Sequence, residues 1–206
     1  MPSSSLKAQL REQNHANVRS AILDAARQLF AQEGVAGLSM RRLAEKIGYT
    51  PRTIYLYFVD KDDLLSELIE EEVGHLADCL ESAFAKHRSP QRRLEAVALA
   101  YVAFGLEHPQ AYEAIFMLRN HPLTRESAHL GQHVQGKRML EVLDRAVRES
   151  GHTRAAHDHH VIFQALRCAL HGVTSLLVLG RKLPGVQWEA VVKHLVAGVG
   201  GEASAE

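Results

Sequence analysis

Leu38-Ser39-Met40-Arg41-Arg42-Leu43-Ala44-Glu45-Lys46-Ile47-Gly48-Tyr49-Thr50-Pro51-Arg52-Thr53-Ile54-Tyr55-Leu56-Tyr57-Phe58 decides how this chain reads. Ser39 is placed as a helix N-cap, and Leu43, Ala44 and Ile47 follow at helical spacing. Gly48 supplies a left-handed stop. Thr50-Pro51 then opens a second helix, cap followed by first-turn proline, predicted to run to about Phe58. Two short helices joined by a glycine-containing turn have the spacing of a helix-turn-helix, whose second helix enters the DNA major groove. The outward residues have the donors such a contact needs, since Ser39, Arg41, Arg42, Thr50, Arg52, Thr53, Tyr55, Tyr57 and Lys61 address phosphates and base edges. Leu43, Ala44, Ile47, Ile54, Phe58 and Leu64 point inward and pin the pair to the helix before it.

That preceding helix shows itself as Val18, Ile22, Ala25, Ala26, Leu29 and Phe30, with Gly34 as its stop. The polar start up to about Arg11 reads as frayed or as an arm. Downstream, Asp60 caps a long helix carrying Leu64, Leu65, Leu68, Ile69, Val73, Leu76 and Leu80, with an acidic first turn that suits the helix dipole. Ser89-Pro90 restarts the pattern in the same cap-proline manner, and His108-Pro109 breaks it. Ala111 to Leu118, Thr124 to Ser150, Thr153 to Leu179 and Val186 to Val199 follow as further helices. No alternating β-branched stretch competes, so the fold class is all-α with about nine helices and no internal repeat.

Composition narrows the function classes. Of 206 residues, 46% are hydrophobic, which excludes disorder for most of the chain. Lys and Arg number 24 against 24 Asp and Glu, but the balance is uneven. Residues 1–60 hold eight basic (Lys7, Arg11, Arg19, Arg27, Arg41, Arg42, Lys46, Arg52) and five acidic residues, a surplus of three that favours a polyanion at the front end. Two distant cysteines, Cys79 and Cys168, exclude a disulfide scaffold and read as buried thiols in a reducing compartment. Met1 to Ser5 shows no charged leader followed by an apolar run, which makes the cytoplasm the expected location. Val161 to Gly180 has the length of a membrane span, but Gln164, Arg167 and His171 near its middle make lipid costly, and a helix buried at a subunit interface fits better.

Residues 38–65, with the preceding Ala25-Ala26, Leu29-Phe30 and Gly34, resemble the DNA-binding signature of the tetracycline-repressor (TetR) family, a likeness covering roughly residues 17–65. The resemblance implies a homodimer that grips a near-palindromic double-stranded operator and is released by a small-molecule effector. It divides the chain into a DNA-binding head, residues 12–60, and a ligand-binding and dimerisation body, residues 61–200. It adds a phosphate contact to the capping role of Ser39 and places Arg41 and Arg42 on phosphates or in a groove. Thr50, Arg52 and Thr53 reach base edges, with Arg52 able to read guanine in bidentate fashion. Tyr55 and Tyr57 lie on phosphate or thymine methyl groups; their alternative is core packing, stronger for Tyr55. Lys61 matches the family's phosphate-anchoring lysine, and Pro51 stands where Ser or Lys is often found.

The last two helices are apolar on more than one face, the mark of a helix covered once by its own domain and once by a partner subunit. Leu170-His171-Gly172-Val173, with Gly180 and Trp188, resembles a WHG-type C-terminal domain of the same family, Arg167 replacing the tryptophan expected four residues before the histidine. Gly172 is read as permitting a close helix approach. Candidate linings of an effector cavity are His75, Cys79, Tyr101, Phe104, His108, Tyr112, Phe116, Met117, His133 and His171, whose aromatic share favours a largely apolar effector. No cofactor is indicated. Thirteen histidines prompt a metal test. His157-Asp158-His159-His160 offers nitrogen and oxygen ligands, with His157 and His160 on one helical face. The alternative built on it is a helical metal hydrolase or metal-sensing regulator, drawing further ligands from His129 or His133. It leaves the helix-turn-helix unexplained, and a solvated helix start accounts for the cluster better. No Ser-His-Asp spacing, nucleophile elbow or phosphate loop is present, so no enzyme is expected. An architectural DNA-binding protein would have no use for so large an apolar body.

Overall fold

The computed structural model describes residues 3–118, 133–151, 156–181 and 184–200, and within them the side chains of residues 8–118, 133–151, 159–181 and 184–198. Nine helices and no strand occur among the described residues: α1 (Ser3–Gly37), α2 (Met40–Ile47), α3 (Pro51–Ile54), α4 (Lys61–Ala85), α5 (Pro90–Glu107), α6 (Pro109–Phe116), α7 (Val134–Glu149), α8 (Ala156–Val178) and α9 (Trp188–Gly200). The expected frayed arm is helical instead. Ala8 to Gln13 contains no glycine, proline or β-branched residue, and nothing there interrupts propagation from the packed part of α1.

Val18, Ile22, Ala26 and Phe30 of α1 are buried with Leu43 and Ala44 of α2, Ile54 of α3, Phe58, and Leu64 and Leu68 of α4, in one core continuous with that of the body. Gly34 bends α1 near its end with φ 63° and ψ −157°, a backbone state that a side chain would strain. In the body, α4 lies against α5 and α7, while α5 touches α4, α6, α7, α8 and α9 and forms the axis of the bundle. Burial of Leu94, Val97, Ala98, Tyr101 and Val102 follows from that central position. Ser89 does not cap α5 as expected; its hydroxyl turns to Gln91 Oε1 at 3.1 Å.

Two cysteine assignments are corrected, since Cys79 and Cys168 are both exposed. Within the described residues, the glycine at a close helix approach is Gly105. A Cβ on Gly172 would meet nothing within 4 Å, whereas one on Gly105 would sit 2.2 Å from Thr174 Cγ2 and 3.0 Å from Tyr112. The contact at Gly105 is a crossing of α5 with α8, where Thr174 is fully buried with its hydroxyl donating to Leu170 O at 2.7 Å. Gly105→Ala is therefore expected to overpack the crossing by about 1–3 kcal/mol, several degrees of melting temperature in a chain of this size. A thermal melt superimposing on that of the unaltered protein would contradict the close crossing.

Candidate nucleic-acid interface and effector cavity

The turn between α2 and α3 is fixed at both ends by the residues expected to fix it. Ser39 Oγ accepts from Arg42 N at 3.1 Å, and Gly48 closes α2 at φ 73° while Tyr49 N donates to Ala44 O at 2.9 Å. Thr50 Oγ1 accepts from Thr53 N at 3.3 Å, with Pro51 in the first turn. The second helix is shorter than predicted. Regular α-bonding ends at Ile54, and Leu56 N to Thr53 O (3.1 Å) and Tyr57 N to Ile54 O (2.9 Å) tighten the chain into i→i+3 turns before Phe58. Buried Ile54 and Phe58 bracket exposed Tyr55 and Leu56, and this tight turn lets both apolar anchors reach the core within five residues.

Internal ion pairs take up most of the basic surplus. Arg19 Nη1 donates to Glu67 at 2.8 Å and its guanidinium lies 4.9 Å from the centre of the Phe58 ring; Arg27 pairs with Glu71 at 2.8 Å. These pairs brace α1 against α4. Arg42 donates to Glu33 at 2.6 and 2.7 Å and to Gly37 O at 2.9 Å, and this hydrogen bonding lowers the pKa of the Glu33 carboxyl. Lys61 Nζ donates to Val35 O at 2.9 Å. Both cations thus hold the segment after the Gly34 bend. Arg41, far more exposed, pairs with Glu45 along its own helix at 2.9 Å. Arg52 is exposed at the start of α3 and makes no hydrogen bond or ion pair among the described residues.

The two tyrosines exchange expectations. Tyr55 is 53% exposed, while Tyr57 is half-buried with its ring 4.5 Å from that of His15, so the core-packing alternative belongs to Tyr57. Sequence reasoning passed over Tyr49, Leu56 and Val59, which are exposed around the same face, Leu56 at 72% and Val59 at 81%. Their signal was available: they fall outside the 3.6-residue stripe that places Ile54 and Phe58 inside. Tyr49, Pro51, Arg52 and Tyr55 are exposed and Thr53 is half-buried at the turn and along α3.

In the body, a cavity of about 280 Å³ lies among α5, α6, α7 and α8. Tyr101, Phe116 and His171 line it as expected; Met139, Leu143, Gln164, Arg167, Cys168 and Leu170 line it without having been anticipated. Tyr112 stands behind the wall, its hydroxyl hydrogen-bonded to His171 Nδ1 at 2.7 Å and lying 3.4 Å from Tyr101 OH. Burial pushes both phenols up and His171 down, so this chain is neutral at pH 7. The other candidates lie elsewhere. Phe104 is core, 5.0 Å from the ring of exposed His108, and Met117 ends α6. His75 and Cys79 are exposed on α4, His75 facing a surface groove beside Gln135 and Arg138. His133 precedes α7 and is absent from the cavity wall. The missed residues sit on α7 and α8, whose apolar stripes serve core and cavity alike, and sequence spacing does not separate the two.

The side chains of His157 and Asp158 lie outside the described residues, as does His129. His159 Nε2 is 2.6 Å from Asp144 Oδ1, and His160 is exposed. Burial pushes the Asp144 carboxyl up, but hydrogen bonds from His159 and Arg148 outweigh it and hold the group below its usual range. No cluster of three metal-ligating side chains occurs among the described residues. The segment His159–Val178 is long and apolar enough to cross a membrane by length and composition alone. It packs against α5, α7 and α9 within the bundle.

Comparison with known proteins agrees with this layout. The family model described as "Bacterial regulatory proteins, tetR family" matches residues 22–68, and "Tetracyclin repressor-like, C-terminal domain" matches residues 94–199. The HTH-type transcriptional repressor AcnR of Corynebacterium glutamicum is 28% identical over 178 residues, 82% of this chain and 87% of its own. The uncharacterised HTH-type transcriptional regulator YobS of Bacillus subtilis is 27% identical over 156 residues, 76% of each chain. Among solved structures, the regulator FadR of Bacillus subtilis in complex with stearoyl-CoA superposes with a TM-score of 0.64 at 20% identity, covering 88% of this chain and 97% of that one, a likeness of fold.

Proposed function

Since this chain belongs to the tetracycline-repressor family of ligand-responsive, DNA-binding transcriptional regulators, we propose that it acts as a cytoplasmic homodimeric repressor that a small, largely apolar effector releases from a palindromic operator. Residues 12–60 form the DNA-binding head and residues 61–200 the sensing and dimerising body. The observation that carries this reading is the open surface at the start of α3, where Arg52 stands uncommitted beside Thr50, Pro51, Thr53 and Tyr55. Arg52 reads a base edge, and Thr50 and Thr53 address neighbouring edges or phosphates. Ser39, Arg41 and Tyr55 lie against the backbone, whereas Arg42, Lys61 and Tyr57 contribute mainly by fixing the head, with spare donors turned to phosphate.

Dimerisation through α8 is supported by one unpartnered stripe. Val161, Ala165, Cys168, Leu176 and Leu179 are exposed at successive helical turns, with half-buried Gly172 between them. Small residues in that row let two copies of α8 approach closely, which gives the open Gly172 its use. Coupling from body to head has a direct route. Phe116 of α6 lines the cavity, and Gln110 of the same helix lies against the Gly34 bend of α1. An effector that prefers one position of α6 shifts the two heads away from the roughly 34 Å spacing of successive major grooves, with coupling of about 1–3 kcal/mol.

Selecting genomic fragments that the purified protein retains, then titrating them by anisotropy, tests the function; absence of any retained fragment at low ionic strength defeats it. In that assay Lys61→Ala should weaken every sequence about equally and lower the salt slope by about one per protomer. An unaltered salt slope assigns Lys61 to holding Val35 alone.

A further inference from the structure

Four arginines are half-buried among the described residues, and three of them have a carboxylate: Arg19 with Glu67, Arg93 with Glu149 at 2.6 Å, and Arg138 with Glu81 and Asp78. Arg167 is the fourth. Its guanidinium donates to Gln164 Oε1 at 3.0 Å and lies 5.5 Å from the centre of the Phe163 ring, and no carboxylate among the described residues pairs with it. It lines the cavity, and neither an aspartate nor a glutamate lines that cavity with it. The other polar groups there are Gln164, the Tyr101 hydroxyl and the His171 imidazole, and the remaining wall is Phe116, Met139, Leu143 and Leu170 with the Cys168 thiol. A half-buried cation beside apolar walls is incompletely compensated, and a second charge-assisted partner would satisfy it.

We propose that the effector is a small organic carboxylate: an apolar aliphatic or aromatic body seated on Phe116, Met139, Leu143 and Leu170, with its acid group paired to Arg167. Gln164 holds the guanidinium plane, and in the tautomer whose Nδ1 accepts from Tyr112 the imidazole Nε2–H is a second donor. The volume of about 280 Å³ is at the lower edge of the roughly 300–1,000 Å³ common for ligand pockets, which limits the body to a short chain or a single ring system. This inference rests on the reading of the cavity as the effector site and adds the charge of the ligand to it.

The test uses the full chain and matched probes: straight-chain C6 to C12 carboxylates and ω-phenyl carboxylates, each against the corresponding primary alcohol, with binding measured by calorimetry. At least one acid should bind about tenfold or more tighter than its alcohol, the worth of one charge-assisted hydrogen bond. Arg167→Gln should remove that preference while leaving alcohol binding in place, and Arg167→Lys should restore part of it. Alcohols binding as well as acids, no acid binding at all, or an acid preference that survives Arg167→Gln would overturn the proposal. Leu143→Trp, which fills the cavity, separates the two readings. If it leaves binding of both probes intact, the cavity is not the effector site; if it abolishes both while acid and alcohol bind the unaltered protein equally, the site stands and the acid does not.

Discussion

Leu176→Asp is expected to give a folded monomer whose operator affinity is lower by about 10²–10⁴-fold, the advantage that linking two half-site contacts provides. Leu176 is one of five exposed residues that form a row along α8, and 40% of it is left open among the described residues. Burying the row against a symmetry mate would remove from water what is still exposed of Val161 (53%), Leu176 (40%) and Leu179 (56%), worth about 1 kcal/mol each, since full burial from water is worth about 1.5–3 kcal/mol. An aspartate in that seam meets its own copy across a two-fold axis, so like charges are desolvated together. Because the side chain is exposed in the protomer, the substitution leaves the core intact, and circular dichroism should be unchanged. Sedimentation velocity reads the outcome. A variant that still sediments as a dimer would move the interface off this face of α8.

Arg52→Ala is expected to cost about 1–3 kcal/mol at each half-site, and the two half-sites of a dimer double that loss. Operator affinity then falls by roughly 30-fold at the low end and by about 20,000-fold at the high end. The more telling readout is the pattern. A selection from randomised duplexes should recover the same motif with one position per half-site relaxed, since Arg52 has no structural partner whose loss would spread the effect. Arg42→Ala serves as contrast. It breaks the contacts with Glu33 and Gly37 O, and so should lower affinity across all sequences through a loosened head. Intact discrimination at every position in Arg52→Ala would deny it a base.

The caps of α2 and α3 were legible from residues 38–58 because each rests on local chemistry: a serine or threonine oxygen, a first-turn proline, a glycine at positive φ. The inward set followed from helical periodicity, and its members Leu43, Ile54, Phe58 and Leu64 are all but inaccessible. What spacing does not show lies where tertiary contact decides. Nothing in sequence spacing told that Arg42 and Lys61 would be spent on the end of α1, nor that Tyr57 would turn to His15 while Tyr55 faced outward. Gly105 and Gly172 look alike in sequence, yet among the described residues a Cβ would clash at Gly105, where α5 crosses α8, and would meet nothing within 4 Å at Gly172. Arg167 stands out in the sequence as a departure from the expected tryptophan, but its significance depends on a cavity whose walls come from four successive helices, between Tyr101 and His171.

In the proposed dimer, two α3 helices fixed by a shared α8 seam enter successive major grooves of one duplex. Anisotropy titration of a selected operator, compared with the same duplex carrying five extra base pairs between its half-sites, measures this directly. Half a helical turn sets the second groove on the opposite side of the DNA. The account predicts a loss of about a hundredfold or more, as one half-site goes unoccupied. Equal affinity for the two duplexes would mean that the protomers bind independently, and would contradict it.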